Sequence, residues 1–473
     1  MSACFDPWLT GADALDALAA GQGTHDGLIE RRRRRLAALL KAAARGSPIY
    51  RERLRGATAD SLQSIEPVRK RELMQNFDTW VTDPRLRLRD LRAFVADASK
   101  IGRAYEDEFV VWESSGSSGE PGIFVHDARA MAVYDALEAC RRVQRWWDPW
   151  YAAERIAFIG ATSGHFASTV TAQRLRRLNP AMAANLHAVS FLQPTAALVE
   201  QLNGLAPTVV STYPTAAVLL AEEAVAGRLH ITPSEVWTGG ETLTPGMRRR
   251  IERQFGCKVI NSYGASEFLA LASQCRCGEL HLNGDWAILE PVDEQMRPVP
   301  PGVAGHTALL TNLANHSQPI IRYDLGDRVR VHRNPCACGS PLPVIDVQGR
   351  CDDMLVLRAQ GGEPVRLLPL ALTTVLEDDG GVFDFQLVQV APNALRLNVG
   401  ADEAAMARAQ AALRAFLHEQ GLAHVRVSAL CGGERVRGRT GKLQRVVADG
   451  QPSGRAPTRV RSDPAQGVVL HDV

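Results

Sequence analysis

WESSGSSGEPGIFV, residues Trp112 to Val125, sets small hydroxyl side chains beside glycines: Ser114, Ser115, Gly116, Ser117, Ser118 and Gly119. Pro121 and Gly122 follow, then the apolar Ile123, Phe124 and Val125. Glycine lets backbone N–H groups turn inward on an anion, and serine hydroxyls add donors. The stretch therefore suits a phosphate-gripping loop between two strands. A flexible Gly/Ser hairpin is the competing reading, and the stretch alone leaves both open. It is not a Walker A loop, because G-x-x-x-x-G-K-[ST] is absent and no helix signal follows at once.

The 473 residues exceed one simple domain and suffice for a large core. A hydrophobic share of 45% with 22% charged residues is that of an ordinary soluble globular protein. The net charge of +2 argues against a nucleic-acid binder or an acidic solvating chain. The first 21 residues lack a basic region followed by an apolar core and a cleavage site, so no signal peptide is expected. No segment offers the roughly 18 uncharged apolar residues of a membrane span. Nine cysteines, an odd number in a large chain, argue against a secreted disulfide scaffold and for reduced thiols in a cytoplasmic protein, some of them on a metal.

Residues 1–27 carry few signals. A helix is expected from Leu28, with Leu36, Leu39, Leu40 and Ala43 at helical spacing and Ser47-Pro48 as its stop. The run Arg31–Arg35 reads as a solvated helix face. Asp127 is placed to cap a further helix. Arg155–Ile159 reads as a buried strand, Pro207–Ala224 as strand, turn and helix, and Cys257–Ser262 as another strand, with Thr244-Pro245 opening the helix before it. This alternation predicts an α/β architecture with largely parallel strands and ligands at their carboxyl ends. Gly239-Gly240-Glu241 and Tyr263-Gly264 lie at such ends, and the missing side chains at Gly239 and Gly240 would let a flat base approach the backbone. Beyond residue 350 a hairpin, an amphipathic helix from about Asp402 and a strand are expected, and from Gly450 a disordered tail.

The Ser114–Gly119 loop resembles the phosphate loop of the adenylate-forming (acyl-CoA synthetase) superfamily, and further motifs follow in order from about Leu28 to Val447. SPIYRERL and VRKRELMQNF (Val68 to Phe77) look like the opening of the phenylacetate-CoA ligase branch, which includes the coenzyme F390 synthetases and the acyl-protein synthetases of luminescence systems. Tyr263-Gly264-Ala265-Ser266-Glu267 is similar to the family's Tyr-Gly-x-Thr/Ser-Glu motif. The resemblance implies that Tyr263 stacks on adenine, Ser266 donates to a phosphate and Glu267 holds Mg²⁺, for which a hard oxygen ligand is suited. Asp327, after Tyr323-Asp324-Leu325-Gly326, matches the carboxylate that accepts from both ribose hydroxyls, with Asp324 as rival. Gly349-Arg350-Cys351-Asp352-Asp353 resembles the family's hinge, which gives Arg350 the ribose or phosphate and Asp352 the pivot. Lys442, in RTGKLQR, matches the lysine that swings onto the substrate carboxylate and α-phosphate. His165 and Phe166, after the strand at Arg155–Ile159, fall where this branch lines its acyl pocket.

Two Cys-x-Cys pairs, Cys275/Cys277 before His281 and Cys336/Cys338 before Gly339, look like two knuckles of a zinc site. Cys275, His281, Cys336 and Cys338 are the expected ligands of a structural Zn²⁺, with Cys277 competing.

What the resemblance implies is thus a large ATP- and acyl-binding domain over 1–349 carrying mixed, largely parallel sheets, a small mobile α+β lid over 350–449 and a tail over 450–473. The implied reaction joins a carboxylic acid, aromatic by branch analogy, to coenzyme A through acyl-AMP, using ATP and Mg²⁺. A carrier-protein phosphopantetheine as acceptor, adenylyl transfer of the F390 type, and a non-catalytic zinc-bearing binding protein are the alternatives. No nucleic-acid partner is expected, and a homodimer is an open expectation. One departure stands out: many relatives have lysine after the loop's last glycine, where this chain has Glu120. The segment Arg358–Gly362 follows the family's post-hinge sequence only loosely.

Overall fold

A computed structural model describes residues 5–114, 121–141, 154–348, 353–400, 403–431 and 444–448. Strands β1 (Val110–Glu113) and β2 (Ile123–His126) form an antiparallel hairpin whose apolar residues are all buried. The Gly/Ser stretch is thus carried between two strands, as expected.

The central sheet is continuous and changes character halfway. Its parallel half comprises β3 (Ile156–Gly160), β4 (Leu186–Ser190), β5 (Val209–Thr212), β6 (Glu235–Thr238) and the start of β7 (Lys258–Ala265), in the order β4-β3-β5-β6-β7. From β7 the pairing turns antiparallel through β8 (Phe268–Gln274) and β9 (Leu280–Leu282). Three strands β10 (Ala287–Val292), β11 (Thr307–Asn312) and β12 (Tyr323–Asp324) form a separate antiparallel sheet. The nine-stranded sheet is completed by β13 (Arg328–Val331) and β14 (Val344–Gln348), with β14 pairing on β9.

The helices obey local signals. Pro214 and Pro245 open the helices Pro214–Val225 and Pro245–Phe255, where a missing N–H costs nothing. Thr244 caps the second by accepting from Met247 N–H at 3.2 Å. Asp127 opens the helix Ala128–Arg141 in the same way, accepting from Ala130 N–H at 2.8 Å.

The helix expected from Leu28 begins earlier, at His25 behind a Thr24 cap, and ends at Gly46 before Ser47-Pro48. Leu36, Leu39, Leu40 and Ala43 are buried as their spacing predicts. Its arginine run divides. Arg33 and Arg34 stay on the exposed face, whereas Arg35 turns inward over the Trp286 ring at 3.4 Å and donates to the Asp285 carbonyl at 2.7 Å. Arg31 and Arg35 both pair with Asp16. Asp16 lies on a helix, Pro7–Gln22, in a region expected to carry few signals. Asp6 caps that helix and Pro7 opens it, but only Ala17 and Ala20 are buried, so no apolar stripe marks it.

Beyond residue 353 come β15 (Leu355–Arg358) and β16 (Pro364–Leu367), then β17 (Phe385–Ala391), β18 (Ala394–Val399), β19 (Arg426–Cys431) and β20 (Val446–Val447). The β17–β18 hairpin and the helix Glu403–Glu419 match the expected pattern. One apolar core holds Ala157, Ile159 and Val210 of the parallel strands together with Leu355, Leu372 and Phe385. Among the described residues no helix is long and apolar enough to cross a membrane.

Candidate active site

A cavity of about 2030 Å³ opens where the parallel strands end. Ser114, Gly239, Tyr263, Glu267 and Asp327 all line it, with Glu377 and Arg445 from the C-terminal region. It exceeds the roughly 300–1,000 Å³ that one drug-sized ligand fills.

The hairpin is tied to the wall opposite. Trp112 Nε1–H donates to the Ser266 carbonyl at 2.8 Å, fixing β1 against the Tyr263–Glu267 segment. Ser114 N–H donates to the Gly122 carbonyl at 2.8 Å, and Ser114 Oγ accepts from Gly122 N–H at 2.9 Å. Ser114 Oγ also accepts from Lys70 Nζ at 3.1 Å. Ser115, Gly116, Ser117, Ser118 and Gly119 lie outside the described residues, as do Glu120, Arg350, Asp352 and Lys442.

Gly239 and Gly240 follow β6 at its carboxyl end. Their need for glycine arises within the protein before any base is considered. A Cβ on Gly239 would sit 3.0 Å from Ser262 Oγ, and Gly240 has φ +77° with the Tyr213 ring 2.9 Å from where its Cβ would be. Glu241, expected at the nucleotide, also holds the start of a helix. Its carboxylate accepts from Thr215 N–H at 3.1 Å and from Thr215 Oγ1 at 2.8 Å, capping Pro214–Val225.

Two tyrosine–carboxylate pairs form the centre of the site. Tyr263 OH donates to Asp327 Oδ2 at 2.9 Å, and Tyr323 OH donates to Glu267 Oε1 at 2.6 Å. Burial, reinforced by the adjacent carboxylates, pushes both phenols well above their ordinary range, so they remain donors. At Gly264 a Cβ would fall 2.0 Å from the Leu269 carbonyl, so only glycine permits this bend after Tyr263. Asn312 Nδ2 holds the Glu267 carbonyl at 2.8 Å and the Tyr134 hydroxyl at the same distance. Asp324, the rival of Asp327, accepts from Thr307 Oγ1 at 2.6 Å and from Gly326 N–H at 3.0 Å, so one of its oxygens serves the turn.

The expected acyl-pocket pair separates. Phe166 lines the cavity, but His165 does not. Its ring is buried against Phe94, with centroids 5.6 Å apart, and its carbonyl accepts from Glu113 N–H at 2.8 Å. The expectation for His165 is corrected on this point. Burial lowers its pKa, which suits a neutral packing residue.

A second constellation lies in the antiparallel half of the sheet. One donor atom each from Cys275, His281, Cys336 and Cys338 gathers within 4.8 Å of the others. Cys275 Sγ and Cys336 Sγ are 3.7 Å apart, and Cys338 Sγ lies 3.4 Å from His281 Nε2. Zn–S bonds of about 2.3 Å in a tetrahedron put sulfurs about 3.8 Å apart, so the set fits zinc. His281 Nδ1 lies 2.9 Å from the Leu342 carbonyl, which directs Nε2 at the thiols. The two knuckles repeat each other. Cys277 N–H donates to Cys275 Sγ at 3.3 Å and Cys338 N–H to Cys336 Sγ at 3.5 Å. Gly278 (φ +88°) and Gly339 (φ +82°) end the two turns. Cys277, the competing ligand, is exposed and stands outside the set of four.

Comparison with known proteins agrees with this layout. The profile of the AMP-binding enzyme family matches residues 63–309, more than half of the chain. The chain belongs to that family. It is 30% identical over 172 residues to a phenylacetate-coenzyme A ligase of Thermus thermophilus, covering 34% of this chain and 38% of that one. Protein CapK of Staphylococcus aureus is 26% identical over 135 residues, 28% of each chain. These matches span less than half the length of the curated relatives. In fold, the chain superposes on 2-hydroxyisobutyryl-CoA ligase in its thioesterification state with a TM-score of 0.55, 22% identity and 91% of each chain covered. The architecture is that of the adenylate-forming enzymes.

Two participants were not assigned from sequence. Tyr323 was visible only as the first residue of its motif, and Lys70 only as part of Val68–Phe77.

Proposed function

We propose that this chain is an AMP-forming acid–thiol ligase. A carboxylate oxygen attacks the α-phosphorus of ATP and pyrophosphate leaves; a thiol sulfur then attacks the acyl carbon and AMP leaves. The observation that carries this reading is the pair of tyrosine-held carboxylates, Asp327 and Glu267, facing one cavity with Ser114 in a chain of the AMP-binding family. Asp327 accepts from the ribose hydroxyls, and Tyr263 packs on adenine beside Gly239 and Gly240. Ser266 and Ser114 donate to phosphate oxygens. Glu267 would hold Mg²⁺, which would supply charge neutralisation on the phosphates when bound.

Coenzyme A is the acceptor in this reading, as the names of the ligases it resembles suggest. A carrier-protein phosphopantetheine is the second acceptor to test. Phe158, Phe166, Tyr213 and Trp237 in the cavity wall support an aromatic acid. The region after Asp352 acts as a lid that rotates and brings Lys442 and then the thiol to the acyl group, with Arg350 at the ribose or phosphate. Cys275, His281, Cys336 and Cys338 would hold a structural Zn²⁺ that would tie the two knuckles together, and four protein ligands would leave no open position for chemistry.

The test is pyrophosphate release from Mg–ATP across aromatic and aliphatic acids, with and without coenzyme A. Release that depends on one acid supports the reading and names the substrate. No release with any acid, from a protein that binds no ATP, overturns it. Lys442→Ala should lose adenylation while still binding ATP.

A further inference from the structure

The stretch Trp112–Val125 contains two carboxylates, Glu113 and Glu120, and no lysine or arginine. Backbone N–H groups and hydroxyls make good partners for phosphate oxygens, but they bring no full positive charge. A triphosphate bound beside Ser114 would draw its protein cation from another element of the chain.

Lys70 brings one. It is the first residue of the helix Lys70–Gln75, lines the cavity, and places Nζ 3.1 Å from Ser114 Oγ. Its position is set from both sides. Val68 N–H donates to the Arg322 carbonyl at 3.0 Å and the Val68 carbonyl accepts from Asp324 N–H at 2.9 Å, which clamps the chain to β12 two residues before Lys70. Leu73 and Met74 are buried beyond it, and Ile123 N–H lies 3.5 Å from Met74 Sδ. The strand that anchors Lys70 also carries Tyr323, whose hydroxyl holds Glu267. One backbone junction thus sets both a cation and the carboxylate assigned to magnesium. The neighbouring Arg69 also borders the cavity, but its side chain is 72% exposed and lies 3.9 Å from the Asp324 carboxylate.

We propose, resting on the ATP-dependent reading above, that Lys70 supplies a protein positive charge, in addition to that of Mg²⁺, to the β- and γ-phosphates of ATP beside Ser114. A lysine suits this role as a point charge on a long flexible stem with three donors, so that its ammonium can hold a phosphate oxygen beside Ser114 Oγ.

The rival role is structural: Lys70 would only pin the hairpin through Ser114. Direct binding of Mg–ATP and of AMP to the full chain, measured by calorimetry, separates the two roles. Lys70→Gln keeps a donor for Ser114 Oγ and removes the charge. It should weaken Mg–ATP binding about 10–100-fold, the range of one charge-assisted hydrogen bond. Binding of AMP, which lacks the β- and γ-phosphates, should stay within about twofold, and Lys70→Arg should restore most of the affinity for ATP. ATP binding unchanged in Lys70→Gln, or lost equally for ATP and AMP, overturns the inference while leaving the ligase reading intact. A wild-type protein that binds neither nucleotide overturns both.

Discussion

Tyr323 OH and Glu267 Oε1 are 2.6 Å apart, both residues are buried, and they belong to parts of the chain carried by different sheets. Tyr323 sits on β12, held by its register with Leu310, whereas Glu267 sits in the turn between β7 and β8. The hydrogen bond fixes one carboxylate oxygen of Glu267. Replacing Tyr323 with Phe keeps the packing and leaves that oxygen without its donor. A hydrogen bond to a charged group contributes about 1.5–3 kcal/mol, so adenylation should fall about 10–100-fold. The Mg²⁺ concentration for half-maximal rate should rise with it. Thioester formation from pre-formed acyl-AMP needs neither magnesium nor pyrophosphate release and should remain near wild type. Initial rates of the two half-reactions, across a magnesium series, check this; equal losses in both would assign Tyr323 a purely structural role.

The second pair makes a separate prediction. Asp327 is engaged by Tyr263 OH at 2.9 Å, and in the proposed complex it accepts from the ribose diol. Asp327→Asn should raise KM for ATP about tenfold or more, since a site built around a substrate hydroxyl loses selectivity with its partner. It should also shrink the preference for ATP over 2′-deoxy-ATP. Asp324→Asn should leave that preference intact and lower thermal stability, because Asp324 serves the turn through Thr307 and Gly326.

The sequence made some of this legible and not the rest, for physical reasons. Local signals were readable: strand–helix alternation from Arg155 onward, proline at helix starts, and glycines where the backbone bends. The clustering of Cys275, His281, Cys336 and Cys338 was also readable, because knuckle geometry is written into Cys-x-Cys followed by glycine. The helix Pro7–Gln22 was not readable, since its buried residues are two alanines while Trp8 and Leu15 stay 87% and 72% exposed. The pairings Tyr323–Glu267, Tyr263–Asp327 and Lys70–Ser114 join residues far apart in the chain, and no periodicity reports them. His165 shows the complementary limit. One step along a loop separates it from Phe166, and the packing of Phe94 decides which of the two faces the cavity.

The proposed metal centre is testable without activity. Purified protein should contain about one zinc per chain, the loading a closed four-ligand set requires. Cys336→Ser or Cys338→Ser should lose the metal and lower the thermal midpoint, because binding to a preformed set contributes folding free energy. Cys277→Ser should keep both, since its sulfur stands outside the four donors. Metal analysis of the four proteins, with melting before and after chelation, checks the assignment; zinc retained in Cys336→Ser would remove that ligand from the set.

A last prediction concerns pH. Asp378 lies in the π-helical turn Val375–Asp379 with its side chain still reaching solvent; crowding by the surrounding protein, then the neighbouring carboxylates Glu113, Glu377 and Asp379, push its pKa up to about 7, and solvent screening reduces the effect on stability. Burial, with Glu377 nearby, also raises Glu113 at the end of β1. Arg445 pairs with Glu377 at 2.5 Å and stacks over Phe385, so this turn is bound to the chain just after the proposed lysine loop. A carboxyl whose pKa is raised by folding from 3.8 favours the folded state in its protonated form. Its contribution is full below about pH 4, shrinks as pH rises and is lost above about pH 7. The thermal midpoint should therefore fall between pH 5 and pH 8, by about 2–4 °C for each ~1 kcal/mol of penalty in a large domain. Asp378→Asn, which carries no charge at either pH, should have the higher midpoint at pH 8 and a flatter profile. Melting curves of the two proteins across this range decide the matter: parallel slopes would place the titrating group elsewhere, whereas a flattened slope would identify the Asp378 cluster as the contact between β1 and the C-terminal region that weakens as pH rises.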